Sequence, residues 1–170
     1  DMAALKKRYD IVYHLAAVNK ISDTITAADM YDVNVNGTRA VMEYCRLNGA
    51  RCILASSSAV YKPADRRVSF RETRPLEPDT IYGISKMLSE SVCRYYAMAF
   101  GVPAAVLRIF NMYGPGQDPS FLVPYLIDTL SKDRDITLKT PSAVRDFVYV
   151  TDIVNAFISS CAYKCKGLEA

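Results

Sequence analysis

The chain has 170 residues, of which 51% are hydrophobic and 23% charged, and its formal net charge is +3. This length and composition are enough for one domain with a real hydrophobic core. The small net charge, without a long basic run, does not indicate nucleic-acid binding. No apolar run approaches the roughly 18 residues of a membrane span, and no signal-peptide pattern is visible. We therefore expect a globular cytoplasmic protein that binds neither nucleic acid nor membrane.

The five cysteines are odd in number and scattered, which is not the pattern of a disulfide framework. We predict that they are reduced thiols. His14 is the single histidine, and only one closely spaced pair of cysteines exists, so no metal site is predicted. The chain begins at Asp1 rather than at a methionine, and it lacks an evident closing element. We expect it to be a piece of a longer protein.

In chain order, residues 1–8 are predicted to end a helix, and apolar runs alternate with helical patterns after them. The predicted strands cover residues 9–17, 51–58, 103–110, 136–139 and 145–150. The predicted helices cover residues 29–47, 82–100, 119–131 and 151–164. Near-continuous apolar strands separated by helices are typical of a parallel sheet. The predicted fold class is therefore α/β, and a sharp turn is expected over residues 111–116.

Small and hydroxyl residues stand where two of these strands end. Ala16 and Ala17 close the first strand, and Ser56 to Ser58 close the second. Because open α/β sheets bind ligands at the carboxyl ends of their strands, these residues are expected to line a crevice. For Ala16 and Ala17, tight helix packing explains the residues equally well. Asn34, inside a predicted helix, either ties that helix to a neighbouring strand or faces solvent, and we favour the tie.

Tyr82 and Lys86 stand four apart in a helical segment, so their side chains leave the same helix face. A nearby ammonium favours phenolate over phenol, so we predict that Lys86 lowers the pKa of Tyr82. The phenol would then be suited to acid/base catalysis, and a serine hydroxyl from the preceding strand could orient a substrate oxygen. This spacing also arises by chance in many helices, and alone it is weak.

Six motifs follow one another in an order that identifies a family. They are His14-Leu15-Ala16-Ala17, Asn34-Val35-Asn36-Gly37-Thr38, Ser56-Ser57-Ser58-Ala59-Val60-Tyr61, Tyr82-Gly83-Ile84-Ser85-Lys86, Leu107-Arg108-Ile109-Phe110-Asn111-Met112-Tyr113-Gly114-Pro115 and Arg145-Asp146-Phe147-Val148-Tyr149-Val150-Thr151-Asp152. In this order the chain resembles the extended short-chain dehydrogenase/reductases. More narrowly, it resembles the NAD-dependent nucleotide-sugar epimerase/dehydratase family, including the UDP-glucose 4-epimerases.

The resemblance implies a fold, a cofactor and an assembly. Residues 1–115 would form the later strands of a Rossmann-like doubly wound parallel sheet, and residues 116–170 part of a small C-terminal substrate lobe. The cofactor would be NAD, the substrate a nucleotide sugar, and the full-length enzyme a homodimer. The family binds the dinucleotide on a Gly-rich turn after its first strand. The seven glycines of this chain include no such cluster, so the chain would hold the catalytic half without the cofactor cradle.

The resemblance also implies roles for individual residues. Tyr82 corresponds to the catalytic base, Lys86 to the residue that lowers its pKa and holds the nicotinamide ribose, and Ser57 to the hydroxyl that binds the reacting sugar oxygen. Tyr82 and Lys86 would thus also contact the cofactor. Ala16 and Ala17 would lie against that cofactor. The implied substrate contacts are Ser58, Asn111, Leu122 and Arg145.

One departure from the family pattern concerns the type of reaction. The family's 4,6-dehydratases usually carry an Asp-Glu pair directly after the catalytic hydroxyl, where this chain has Ser58 and Ala59. Neither residue can eliminate water, so an epimerase is favoured, with a C4 epimerase of UDP-hexoses as the leading case. A nucleotide-sugar dehydratase or reductase remains an alternative. A second alternative is a non-catalytic remnant that acts as a binding or interaction module.

Overall fold

The computed structural model describes residues 7–64, 68–138 and 140–162, together with the backbone of residues 168–169. The strands are β1 (Ile11–His14), β2 (Arg51–Ser57), β3 (Ala104–Ile109), β4 (Asn111–Tyr113), β5 (Phe147–Tyr149) and β6 (Leu168–Glu169). The α-helices are α1 (Ala27–Tyr31), α2 (Gly37–Asn48), α3 (Ile81–Phe100), α4 (Leu122–Ser131) and α5 (Val150–Ala162). A π-helical turn, Asp32–Asn36, joins α1 to α2, and a 3₁₀ turn, Ser58–Val60, follows β2.

Four strands form one sheet in the order β1-β2-β3-β6, and all neighbouring pairs are parallel. Strand β2 is central and pairs His14 with Leu54 on one side and Ser57 with Ile109 on the other. Its middle residues are fully buried, as expected for a strand covered on both faces. The predicted α/β class with a parallel, Rossmann-like sheet is confirmed.

The main core lies between the sheet and helices α2 and α3. Its centre is formed by apolar residues of α2, β2, α3 and β3. Three free cysteines belong to it and are called the core thiols below: Cys45, Cys52 and Cys93. Helix α3 ends at Gly101, whose positive φ of 66° is the left-handed conformation that favours glycine at a helix C-terminus. The predicted stop of this helix is therefore confirmed.

The chain divides into two compact units. The first unit consists of two segments, one that ends at Ile109 and one that begins at Ala156. The second unit covers Phe110–Asn155. The C-terminal part of α5 belongs to the first unit. There the Arg51 guanidinium donates to the Cys161 carbonyl at 2.8 Å, and the Tyr13 and Phe157 rings meet edge to face.

The second unit contains elements that the sequence predicted differently. Residues 111–113 form β4, which pairs in parallel with β5, although a sharp turn was predicted from residue 111. Helix α4 begins at Leu122 rather than near Pro119. Residues 136–138, predicted as a strand, adopt no regular structure, and Lys139 lies outside the described residues.

Two predictions near the N-terminus also change. The long helix expected over residues 29–47 is present, but the π-helical turn interrupts its α-helical hydrogen bonding. Strand β1 is shorter than the predicted 9–17, so Ala16 and Ala17 follow it instead of ending it. The predicted helix end over residues 1–8 falls largely outside the described residues. Within the described part of the chain, no helix has the length and apolarity that crossing a membrane requires.

Candidate active site

The end of β2 supplies the first part of the candidate site. Ser57 is its last residue and has an extended backbone, with φ of −146° and ψ of 151°. Its Oγ accepts a hydrogen bond from the Ala59 backbone N–H at 3.2 Å and so caps the 3₁₀ turn that follows. Ser57 is only partly buried. Its hydroxyl therefore stands at the carboxyl edge of the sheet, where the sequence places it.

A glycine lets helix α3 approach this turn closely. Thr80 caps α3 by accepting a hydrogen bond from the Gly83 N–H at 3.1 Å. A Cβ at Gly83 would lie 2.8 Å from the Pro78 Cβ and still closer to the Ala59 carbonyl oxygen. Only a residue without a side chain fits there. The first turn of α3, with Tyr82, is thus seated directly on the turn that follows Ser57.

Burial and the Ser57 side chain act on the pKa of Tyr82 in opposite directions. Burial raises this pKa above its usual value, and Ser57 opposes that rise without cancelling it. The prediction that Lys86 lowers the pKa of Tyr82 is therefore wrong for this structure. The phenol is partly removed from water, and the sequence does not reveal this cost. Tyr82 is therefore a phenol at neutral pH in this structure.

Lys86 lies one turn further along α3 and is 3% exposed. Its Nζ donates to the Ala55 carbonyl oxygen at 2.8 Å and lies 5.9 Å from the centre of the Tyr82 ring. Burial lowers the pKa of Lys86 to about 8, although the Glu90 carboxylate acts in the opposite direction. The ammonium is therefore still the main form at pH 7. An ammonium has three N–H donors, and the Ala55 carbonyl uses one of them.

Asn34 holds the helices beside the site. It is 1% exposed, and its amide group accepts from the Val18 N–H at 2.7 Å and donates to the Val18 carbonyl at 2.8 Å. The same amide nitrogen donates to the Ser85 hydroxyl of α3 at 2.8 Å. The tie that the sequence favoured is confirmed, but it connects the π-helical turn to the segment after β1 and to α3. It thereby fixes the loop that carries Ala16 and Ala17.

His14 is a buried neutral side chain next to this polar cluster. Its Nε2 lies 2.9 Å from the Thr38 hydroxyl oxygen, and that hydroxyl donates its own proton to the Asn34 carbonyl at 2.5 Å. The imidazole must therefore donate to Thr38 through Nε2–H. Burial and the positive charge of Lys86 lower the pKa of His14 to about 4. His14 is thus a structural donor at neutral pH.

The residues predicted to contact a cofactor or substrate fall into two groups. Ala16 and Ala17 are exposed just beyond β1, and Ser58 follows Ser57, all in the first compact unit. The others belong to the second unit. There the Asn111 side chain donates to the Asp146 carbonyl at 3.1 Å, next to Arg145. Arg145 is exposed, and Leu122 is the exposed first residue of α4.

Sequence reasoning missed a buried charged pair behind the site. The Glu90 carboxylate of α3 and the Arg108 guanidinium of β3 form an ion pair at 2.8 Å, and Ser56 donates to Glu90 at 2.5 Å. Two signals were available in the sequence. Arg108 is a charge in an otherwise apolar strand, and Glu90 follows Lys86 by four residues on the same helix face.

Ser57, Tyr82 and the buried Lys86, the three residues predicted to act together, all belong to the first compact unit. Comparison with known proteins gives the family. The sequence profile of the NAD-dependent epimerase/dehydratase family matches residues 1–165. The chain therefore belongs to this family, which confirms the resemblance seen in its motifs.

The individual relatives include both epimerases and dehydratases, the two types of enzyme in the family's name. An uncharacterized UDP-glucose epimerase of Bacillus subtilis, YtcB, is 32% identical over 91% of this chain and 49% of its own length. A probable dTDP-glucose 4,6-dehydratase of Sinorhizobium fredii is 30% identical over 86% of this chain and 45% of its own length. The chain thus spans about half the length of the curated relatives it matches.

A solved structure shows the same relationship. The UDP-glucuronic acid 4-epimerase of Bacillus cereus in complex with NAD is 28% identical to this chain and superimposes with a TM-score of 0.85. The match covers 99% of this chain and 55% of the epimerase. The fold of this chain therefore matches that of the corresponding half of this epimerase, as the motifs predicted.

Proposed function

We propose that this chain supplies the acid/base half of an NAD-dependent nucleotide-sugar epimerase, with interconversion of UDP-hexoses at C4 as the leading reaction. The observation that carries the proposal is the buried Lys86 ammonium, 5.9 Å from the centre of the Tyr82 ring, in a helix whose first turn packs on the turn that follows Ser57. The chain spans about half of its relatives, so the activity is assigned to a longer enzyme that includes it.

Each of the three side chains has a proposed part in proton transfer. The Ser57 hydroxyl binds the reacting sugar oxygen and holds it beside Tyr82. Tyr82 accepts the proton of the sugar alcohol in its phenolate form, which is the minor form at neutral pH in this structure, and the phenol returns the proton when the sugar is reduced again. Lys86 places its ammonium 5.9 Å from the centre of the Tyr82 ring, and its remaining N–H donors are suited to ribose hydroxyls.

The residues at the sheet edge fit a dinucleotide. Ala16 and Ala17 have no side chain beyond Cβ and are exposed after β1, so a flat ring can approach their backbone. Bound NAD would supply the hydride acceptor and donor of the reaction. We assign Ser58, Asn111, Leu122 and Arg145 to the nucleotide sugar. The guanidinium fork of Arg145 is suited to diphosphate oxygens.

Ser58 and Ala59 favour epimerisation over dehydration, because neither side chain can act as the acid and base that remove water. The test is to incubate the full-length enzyme with NAD and UDP-glucose or dTDP-glucose, and to analyse the products by NMR. The proposal predicts the C4 epimer of UDP-glucose and no 4-keto-6-deoxy sugar. A 4-keto-6-deoxy product would identify a dehydratase, and no conversion of any nucleotide sugar would favour a non-catalytic binding protein.

The enzyme is further proposed to be a homodimer of the cytoplasm. Free thiols in the described residues are consistent with a reducing compartment. Helices α2 and α3 expose large apolar side chains, among them Leu47, Tyr95, Met98 and Phe100. Sedimentation should show a dimer that Met98→Glu dissociates. Met112→Glu, at an exposed residue of the second unit, is the matched control and should leave the dimer intact.

A further inference from the structure

The Glu90–Arg108 pair is buried and has no part in the proton transfer described above. The two side chains are 3% and 8% exposed. Arg108 donates from Nε to Glu90 Oε1 at 3.0 Å and from Nη2 to Oε2 at 2.8 Å, which is a two-pronged contact. Removing two charges from water is costly, and a well-packed apolar pair of similar volume is often at least as stable. A gain in net stability is therefore not a sufficient explanation for the pair.

The carboxylate is connected to the strand that carries the site. Ser56 donates from Oγ to Glu90 Oε1 at 2.5 Å. Its neighbours on β2 are Ala55, whose carbonyl accepts from Lys86, and Ser57, which lowers the pKa of Tyr82. A single hydrogen bond to Ser56 thus fixes the backbone between the two contacts on which the site depends.

The carboxylate also lies one helical turn from the Lys86 ammonium. The titratable groups that face Lys86 in the described part of the chain are His14 of β1 and Tyr82 and Glu90 of its own helix, with Arg108 of β3 behind Glu90. His14 and Tyr82 are neutral at pH 7, because burial lowers the pKa of His14 and raises the pKa of Tyr82. Glu90 is thus the negative group of this cluster.

We propose that Glu90, anchored by Arg108 and Ser56, is a positioning residue that acts as the buried counter-charge of Lys86 and holds the end of β2 in place. The inference rests on the proposed function of Lys86 and Ser57, and it assigns Glu90 a part in that function without contact with the substrate. Arg108 sets the carboxylate geometry and also donates to the Tyr61 hydroxyl at 2.7 Å.

The direct test measures the protonation of Lys86 without using activity. The full chain is labelled with ¹³C-lysine, and the Lys86 Cε signal, assigned by its loss in Lys86→Met, is followed between pH 6 and 10.5. The wild-type midpoint is expected near 8. In Glu90→Gln the midpoint should fall by about one pH unit or more, which is a tenfold loss of proton affinity. Ser56→Ala keeps the carboxylate and should leave the midpoint close to the wild-type value.

A second variant covers the case in which Glu90→Gln does not fold because Arg108 has lost its partner. The double variant Glu90→Gln with Arg108→Met removes both charges and keeps an amide oxygen for Ser56. It should also show a lowered midpoint, because the Glu90 carboxylate is the charge that raises the pKa of Lys86. A wild-type midpoint in Glu90→Gln or in the double variant would overturn the proposal.

An activity measurement then connects the charge to the reaction. In the full-length enzyme, the alkaline limit of kcat/KM should move to lower pH in Glu90→Gln by the same amount as the Lys86 midpoint. An unchanged alkaline limit beside a shifted midpoint would overturn the functional part of the inference. If the wild-type enzyme has no epimerase activity, the proposed function fails, whereas the NMR midpoint still decides whether Glu90 is the counter-charge.

Discussion

Replacing Lys86 by methionine should make the protein more stable, although it removes a residue of the candidate site. Lys86 is 3% exposed, and burial lowers its pKa from the usual 10.5 to about 8. This difference means that keeping the ammonium charged at pH 7 costs the folded state up to about 3 kcal/mol, at roughly 1.4 kcal/mol per pH unit. Methionine fills a similar volume without carrying this charge.

The gain is reduced by the contact that is lost. The ammonium donates to the Ala55 carbonyl at 2.8 Å, and leaving that carbonyl without this donor costs about 1 kcal/mol. Glu90 keeps both its other partners, Arg108 and Ser56, so the variant does not strand a buried carboxylate. The net expectation is an increase in the free energy of unfolding of about 2 kcal/mol at pH 7.

The pH dependence separates this explanation from a general packing effect. The folded-state pKa of Lys86 is lower than the unfolded value, so the unfolded chain binds the extra proton between pH 8 and 10.5. Wild-type stability should therefore rise through this window, and the advantage of Lys86→Met should shrink. Urea unfolding at pH 7 and pH 9.5, with reductant to protect the free thiols, measures both. Lys132→Met, at an exposed lysine, is the control and should change stability by less than about 0.5 kcal/mol. A destabilised Lys86→Met protein, or a gain independent of pH, would refute the reasoning.

Three further predictions follow from buried features. Gly83→Ala should destabilise the protein by about 1–3 kcal/mol in urea unfolding, because the added Cβ meets the Ala59 carbonyl. Gly37→Ala is the control and should be neutral or slightly stabilising, because the nearest contact of its added Cβ would be 3.8 Å away. Equal effects of the two changes would contradict this packing. The free energy of unfolding should fall by up to about 3 kcal/mol as the pH drops from 6.5 to 4, because His14 is protonated in the unfolded chain while burial keeps its folded-state pKa near 4. His14→Gln should remove most of this pH dependence of stability between pH 6.5 and 5. The core thiols should react with a thiol reagent only at the rate of unfolding, since burial removes them from solvent, and rapid native-state labelling observed by mass spectrometry would show that the core opens.

The sequence was sufficient for those parts of the fold that depend on local patterns. The apolar segments at residues 51–58 and 103–110 predicted parallel strands, and the spacing of Tyr82 and Lys86 placed both on one face of a helix that begins beside Ser57. The six motifs predicted the family, because their order along the chain carries more information than any one of them.

The rest depends on contacts between distant parts of the chain. The direction of the pKa change at Tyr82 depends on burial, which local sequence does not show. Glu90 of α3 and Arg108 of β3 form a pair although they are 18 residues apart in the sequence. The π-helical turn at Asp32–Asn36 accompanies the bonds that Asn34 makes to Val18 and Ser85, which are likewise non-local. Helical propensity alone therefore could not predict it.

The central claim is that Tyr82 transfers the proton of the sugar alcohol. The most direct test compares Tyr82→Phe with the wild-type full-length enzyme, measuring turnover of the UDP-hexose with NAD and substrate affinity by calorimetry. Loss of general acid/base catalysis should reduce kcat by about 10²–10⁴-fold, while the dissociation constant of the UDP-hexose stays nearly unchanged because only one hydroxyl is removed. Turnover at the wild-type rate in Tyr82→Phe would contradict the account.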